Sequence, residues 1–310
     1  MSRPIVIAHR GACGYLPEHS RGAKALAYAM GADYLEQDVI ATRDGQLVVL
    51  HDLHLDDVSD VHERFPGRER EDGRSYCFDF DLTELRQLSF HERTNPGTSN
   101  LRYPGRYPAA AGEFRVVTLD EEIAFVAALN RATGREVGIY PEIKEPEWHR
   151  SQGFDLGAAM LDALDRHGYL DPGRKLFLQC FEAGSLQAAR ASVGEHLPLI
   201  QLISSRTEVT SELLANIARY ATGIGPSLGL IYRGRNEHGD PELSGLVADA
   251  QSQGLQVHPY TFRADDLPSG IASFNELLEV CLINTCSNGI FTDFCDRVSA
   301  FLDEAQSRPQ

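Results

Sequence analysis

The chain has 310 residues, 42% of them hydrophobic and 24% charged, with 27 Gly and 15 Pro, which excludes a disordered, collagenous or coiled-coil protein. Lys and Arg total 29 against 45 Asp and Glu, and the net charge of −16 opposes any attraction to nucleic acid or to an anionic membrane. No uncharged apolar run approaches the roughly 18 residues that suggest a membrane span, and the first apolar segment starts at Ile5, leaving no room for a secretory leader.

A cytoplasmic chain is therefore expected, or a periplasmic one if a native signal segment has been removed. The oligomeric state is left open by the sequence. Cys13, Cys77, Cys180, Cys281, Cys286 and Cys295 form no CxxC pair and read as reduced structural thiols.

Along the chain, short apolar runs predict strands at 5–8, 34–39, 137–143, 176–181, 199–203, 222–224, 256–262 and 289–292. Amphipathic helices are predicted between and after them, at 20–30, 119–132, 154–167, 184–192, 210–220, 242–253, 274–283 and 295–306. Strand-then-helix alternation implies a parallel sheet, and eight such units fit a single α/β domain folded as a (β/α)8 TIM barrel spanning 1–310. A further β run at 47–50 follows Arg43-Asp44-Gly45-Gln46, and Asp-Gly between apolar runs predicts a hairpin. A tight hairpin cannot reach a parallel barrel strand, so the arm is expected to extend strand two above the rim and return His51 to the mouth.

From about 53 to 115 the periodicity gives way to polar sequence punctuated by Pro and Gly, read as an insertion at the C-terminal face. Its aromatics Phe65, Tyr76, Phe78, Phe80 and Phe90 form either its own small core or an apolar lip at the site. Only the last four or so residues read as a disordered tail.

Four clusters fall at strand ends or on the hairpin, where barrel enzymes keep their reactive groups. They are His9-Arg10-Gly11, Glu36-Gln37-Asp38, His51-Asp52 and Glu142-Ile143-Lys144. Residues at i and i+2 in a strand share a face, so Glu36 and Asp38 point the same way, as do Glu142 and Lys144. Ionised carboxylates facing a packed interior need a cation, supplied either by a salt bridge or by a divalent metal. Three carboxylates suit the hard ions Ca2+ or Mg2+. Arg10 and Lys144 can neutralise a phosphodiester, and His9 and His51 can move protons on either side of phosphorus.

These residues resemble the glycerophosphodiester phosphodiesterase family in order and spacing. The match is carried by His9-Arg10-Gly11, Leu16-Pro17-Glu18, residues 31–38, Thr42-Arg43-Asp44-Gly45, residues 48–52, Glu142-Ile143-Lys144 and Phe291-Thr292-Asp293-Phe294. Residues 60–80 and 257–262 resemble the longer bacterial form, usually periplasmic and calcium-dependent.

The resemblance implies a TIM barrel with an insertion after His51, His9 and His51 as the catalytic pair, and Glu36, Asp38 and Glu142 as ligands of one divalent metal ion, Ca2+ favoured over Mg2+. Arg10 and Lys144 become the phosphate contacts. Position alone, in predicted strands near the mouth, makes His258 and Tyr260 further candidate substrate contacts, with Gln179 and Asp293 at comparable strand ends and Asp293 alternatively holding the closing loop. The implied reaction converts small glycerophosphodiesters, such as glycerophosphocholine and glycerophosphoethanolamine, to glycerol 3-phosphate and an alcohol. Attack on phosphorus comes from the neighbouring glycerol hydroxyl or from water. A lysophospholipase D and a catalytically silent glycerophosphodiester-binding barrel are the competing expectations.

His19 departs from the family pattern, standing where Asn is usual. The remaining histidines, His54, His62, His91, His149, His167, His196 and His238, are expected on the surface or in loops.

Overall fold

The computed structural model describes residues 3–108 and 114–307. In chain order the elements are β1 (Ile5–Ala8), α1 (Arg21–Ala29), β2 (Tyr34–Ala41), β3 (Leu47–Val49), α2 (Val61–Arg64), α3 (Leu82–Leu85), α4 (Leu119–Thr133) and β4 (Gly138–Ile143). Then come α5 (Pro146–Ser151), α6 (Leu156–Arg166), β5 (Leu178–Cys180), α7 (Ala183–Val193), β6 (Leu199–Ile203), α8 (Ser211–Ile217) and β7 (Gly223–Pro226). The last part of the chain holds β8 (Tyr232–Arg235), β9 (Pro241–Leu243), α9 (Leu246–Ser252), β10 (Gln256–Val257), α10 (Phe274–Leu278), β11 (Gly289–Thr292) and α11 (Cys295–Ser307).

Eight parallel strands run in the order β10-β7-β6-β5-β4-β2-β1-β11. Beyond β10 the chain stays extended and closes the ring on β11, through Asn288 N to Val257 O at 3.0 Å, Phe291 N to Pro259 O at 3.0 Å and Phe262 N to Phe291 O at 2.8 Å. This is the (β/α)8 barrel expected from strand and helix alternation. Helix starts follow local chemistry. Thr118 and Glu121 form a capping box before α4, and that helix stops at Gly134, whose φ of 71° lies in the left-handed region.

Alternation along each strand sorts residues into two cores. Val6, Leu35, Ile139 and Leu178 face the helices, while Ile7, Tyr140, Phe177, Ile200 and Phe291 fill the barrel interior as a floor beneath the mouth. Outside β2, Lys24 of α1 pairs with Glu122 of α4 at 2.7 Å, both side chains fully buried. Lys24 also donates to the Glu36 backbone carbonyl, and Gln37 Nε2 donates to Glu122 at 3.3 Å. The strand that carries the inward carboxylates is thus anchored from behind by charge.

The hairpin forms as the Asp-Gly signal predicts, with Val39, Ile40 and Ala41 paired to Val49, Val48 and Leu47, and with Gly45 at φ 75°. It seats the polar segment that follows on a second apolar cluster, in which Ile40, Val48 and Leu50 meet Leu55, Phe80 and Leu88. Phe65 and Phe90 belong to that cluster as well. Tyr76 stacks on Trp148 at 5.5 Å and Phe78 packs edge-on to the same ring, so these aromatics are a local core and a seam to the barrel rather than a lip.

Three expectations need correction. The helix expected at 242–253 begins only at Leu246, because Pro241–Leu243 pairs with Tyr232–Arg235 in a second hairpin turning at Asn236–Asp240. Gly239, at φ 83°, lies in that turn. The strand expected at 256–262 is regular only over Gln256–Val257. His149 is fully buried rather than superficial, its Nε2 accepting from Ala41 N at 3.2 Å. All six cysteines are unpaired, and among them only Cys286 is exposed. Apart from Ser307, which ends α11, the tail expected to be disordered lies outside the described residues, as do residues 109–113 of the insertion.

Candidate active site

The C-terminal ends of the strands open into a cavity of about 420 Å³ lined by His9, Arg10, Glu36, Asp38, His51, Glu142, Lys144, Gln179 and Tyr260. Strand register explains the grouping. Asp38 of β2 lies opposite Glu142 of β4, which lies opposite Gln179 of β5, so three side chains share one level of the barrel. Leu50 N bonds Asp38 O at 2.9 Å, and this last rung of the hairpin delivers His51 to the same mouth.

After β1 the chain turns sharply. Gly11, at φ 91°, approaches α1 so closely that a Cβ there would come within 2.8 Å of the Ala23 backbone. Arg10 itself sits at φ 58°, and its backbone N–H donates to Glu36 Oε2 at 2.5 Å. Its guanidinium contacts Glu18 at 2.9 Å and Asp38 at 3.3 Å.

The carboxylates are buried and crowded. Burial pushes Glu36 well above the usual range and Asp38 reinforces the shift. Glu142 is pushed up to about 8 by burial and by Asp38, against the pull of Lys144, which lies 2.9 Å away. Burial also acts on Asp38, but Lys144 first, then His51, His19 and Arg10 outweigh it and hold that carboxylate well below its ordinary value. Three carboxylates brought this close cost free energy to ionise together, and a bound cation would offset that cost. Donor atoms of His19, Glu36 and Asp38 lie within 4.8 Å of one another. These three could hold a cation, with His19 Nε2 placed 2.8 Å from Asp38, while Glu142 stands beside Asp38 and pairs with Lys144 at 2.9 Å.

Both histidines are oriented by acids. His9 Nδ1 donates to Asp293 Oδ1 at 2.7 Å, and His51 Nδ1 donates to Asp52 at 2.5 Å. Burial would raise Asp293, but Arg263, His9 and Arg106 more than offset it, so the carboxylate stays ionised and fixes the proton on Nδ1. The Nε2 lone pair of each ring is left for the cavity. Burial and then Arg10 lower His9 to about 4. Burial, Arg10 and Lys144 lower His51 to about 3. Both shifts favour the neutral imidazole in the unliganded site.

Gln179 and Tyr260 line the cavity, whereas His258 does not. It is fully buried in the barrel, with Nδ1 2.9 Å from the Tyr140 hydroxyl and its ring edge-on to Phe177, so it cannot be a substrate contact without opening the floor.

Sequence reasoning missed a set of arginines. Arg93 and Arg106 come from the insertion, and Arg263 follows the seventh barrel strand. Arg93 grips Glu18 at 2.6 Å and also pairs with Asp52, while Arg106 and Arg263 reach Asp293 at 2.6 and 2.8 Å. Arg263 had a signal in its strand-end position. Arg106, in a Tyr-Pro-Gly turn, had none.

A family model described as "Glycerophosphoryl diester phosphodiesterase family" matches residues 9–297. The chain is 37% identical over 330 residues to the glycerophosphodiester phosphodiesterase of Haemophilus influenzae, covering 97% of this chain and 90% of that one. It is 32% identical over 330 residues to that of Treponema pallidum, covering 97% and 92%. Among solved structures, a putative glycerophosphoryl diester phosphodiesterase from Silicibacter pomeroyi superposes with a TM-score of 0.75 at 22% identity, covering 98% and 94%. A phosphodiesterase from Oleispira antarctica, solved with its product sn-glycerol-3-phosphate, gives a TM-score of 0.67 at 21% identity, covering 97% of each chain. The chain belongs to the glycerophosphoryl diester phosphodiesterase family and is an enzyme of that class.

Proposed function

We propose that the chain hydrolyses small glycerophosphodiesters to glycerol 3-phosphate and the free alcohol, with His9 and His51 as general base and acid and one divalent ion, Ca2+ favoured over Mg2+, held by Glu36, Asp38 and Glu142. The observation that carries this reading is the convergence in one cavity of two acid-oriented histidines, three buried carboxylates, Arg10 and Lys144. When bound, the ion supplies positive charge to the glycerol hydroxyls and the phosphoryl oxygens.

Arg10 and Lys144 flank the phosphate and neutralise its oxygens, the guanidinium through two donors and the ammonium as a point charge. An anion between them also offsets the positive charge that depresses both imidazoles, bringing His9 and His51 toward neutrality where proton transfer is most effective. One Nε2 takes the proton of the attacking hydroxyl, from glycerol or from water. The other, which enters the step as an imidazolium once the bound anion has raised its affinity for a proton, gives its Nε2 proton to the alkoxide as the bond to phosphorus breaks. Asp293 and Asp52 keep the imidazolium that forms in place. Gln179 and Tyr260 complete the wall as substrate contacts. Residues 1–310 act in this reading as one catalytic domain, with 53–115 as its insertion.

A second reading has one observation in its favour. The same cavity is also lined by Phe181, Leu202, Leu228, Leu267 and Pro268, and Phe181 is 42% exposed. Apolar side chains of this kind would suit an acyl chain on the glycerol, as a lysophospholipase D requires. Rates on glycerophosphoethanolamine and lysophosphatidylethanolamine, measured after chelation and after separate readdition of Ca2+ and Mg2+, test both readings. Release of glycerol 3-phosphate restored by the metal supports the first, and faster turnover of the lipid replaces it. Trapping a cyclic phosphate during turnover identifies the glycerol hydroxyl as the attacking group.

A further inference from the structure

A second cavity, of about 320 Å³, opens on the insertion side of the two histidines. It shares His9, Arg10, His51, Arg263 and Asp266 with the first, so a phosphodiester at the histidines has one ester arm in each. Glu36, Asp38, Glu142 and Lys144 line only the first. The glycerol arm, whose hydroxyls reach those carboxylates, occupies that cavity. The alcohol that leaves occupies the other.

Among the described residues the second cavity has no aliphatic wall, and its charges are unevenly satisfied. Glu18 is held by Arg10 and Arg93, Asp52 by Arg93, and Asp293 by Arg106 and Arg263. Arg102 has no ion pair among the described residues, and no acid holds it at the rim. Glu92 is 3% exposed and its Oε2 has no hydrogen-bond partner among the described residues. Burial pushes it up to about 8, so at neutral pH it offers a carboxyl proton instead of a repelling charge. Asp266 is exposed at the junction, where solvent screens it.

Choline finds nothing here that suits it. A quaternary ammonium has no N–H to donate and is recognised by aromatic faces. Tyr103 is the aromatic ring of this cavity, and the Arg106 guanidinium lies 3.8 Å from its centroid, with Arg263 at 5.7 Å and Arg102 at 6.0 Å. We infer that the second cavity is the subsite of the leaving alcohol, and that Arg102, with Arg263 and Glu92, selects alcohols carrying a carboxylate or phosphate over choline. This rests on the phosphodiesterase reading above.

The test compares kcat/KM on glycerophosphoserine and glycerophosphocholine for the full chain and for Arg102→Glu. The wild type should favour the serine diester. Arg102→Glu should lower kcat/KM for that substrate by about fivefold, the scale of one solvent-exposed charge contact, while raising it for the choline diester. A choline rate equal to or above the serine rate in the wild type overturns the inference and leaves the phosphodiesterase reading standing. So does an unchanged ratio, or a parallel fall on both substrates, in the variant. No turnover of either diester overturns both.

Discussion

Asp293 accepts from His9 at 2.7 Å across 284 residues of sequence, and its second oxygen takes Arg106 and Arg263. The end of the last barrel strand therefore sets the tautomer of the histidine at the end of the first. The role expected for Asp293, holding the closing loop, is narrower than this geometry. Asp293→Asn should leave the barrel folded, since the amide is nearly isosteric, but it can donate to Nδ1 and reverse the tautomer. A fall in kcat of roughly a hundredfold or more is expected, with KM changed little. Steady-state kinetics beside a thermal melt check this, and unchanged kcat would remove Asp293 from the machinery.

The pair behind β2 yields a stability prediction. Lys24 and Glu122 are both fully buried, and Lys24→Met removes only one of the two charges. An uncompensated buried carboxylate costs about 3–5 kcal/mol. Urea unfolding should show that loss, and the double variant Lys24→Met with Glu122→Leu should recover much of it. A single variant as stable as the wild type would mean that the pair does not anchor the strand.

Much of this architecture was legible because its signals are local. Asp44-Gly45 announced the hairpin that carries His51, and i, i+2 spacing put Glu36 and Asp38 on one face of β2. Strand and helix alternation was enough to give the barrel. What stayed hidden depends on contacts remote in sequence. Nothing in the apolar face of α1 says that Lys24 meets Glu122 of α4, and nothing in a Tyr-Pro-Gly turn says that Arg106 reaches Asp293. His258 was misplaced because its strand is regular over only two residues, so depth could not be counted along it. The hairpin at Asn236–Asp240 was lost because its second arm, Pro241–Leu243, runs into the segment read as the helix at 242–253.

The crowded carboxylates predict how the metal is held. Glu36→Gln should weaken divalent binding, read directly by titration calorimetry with Ca2+ and with Mg2+, by at least about tenfold, the low end for disturbing a ligand shell. Activity should fall in parallel. Chelation should then have little further effect. A variant that binds either ion with unchanged affinity would exclude Glu36 as a ligand.

Buried His258 gives a pH dependence with a defined sign. Burial lowers its pKa from 6.5 to about 3, so the unfolded chain binds a proton between those values that the folded chain does not. The resulting stabilisation is complete above pH 6.5 and is lost as pH falls toward 3. His258→Gln keeps a group able to bond the Tyr140 hydroxyl but does not titrate. The variant should lose stability less steeply on acidification, the difference approaching about 1.4 kcal/mol per pH unit, one proton's worth. His9 and His51 titrate in both proteins and cancel in the comparison. Urea midpoints measured from pH 7.5 down to pH 4.5 check this, and parallel curves would show that His258 is protonated in the folded barrel.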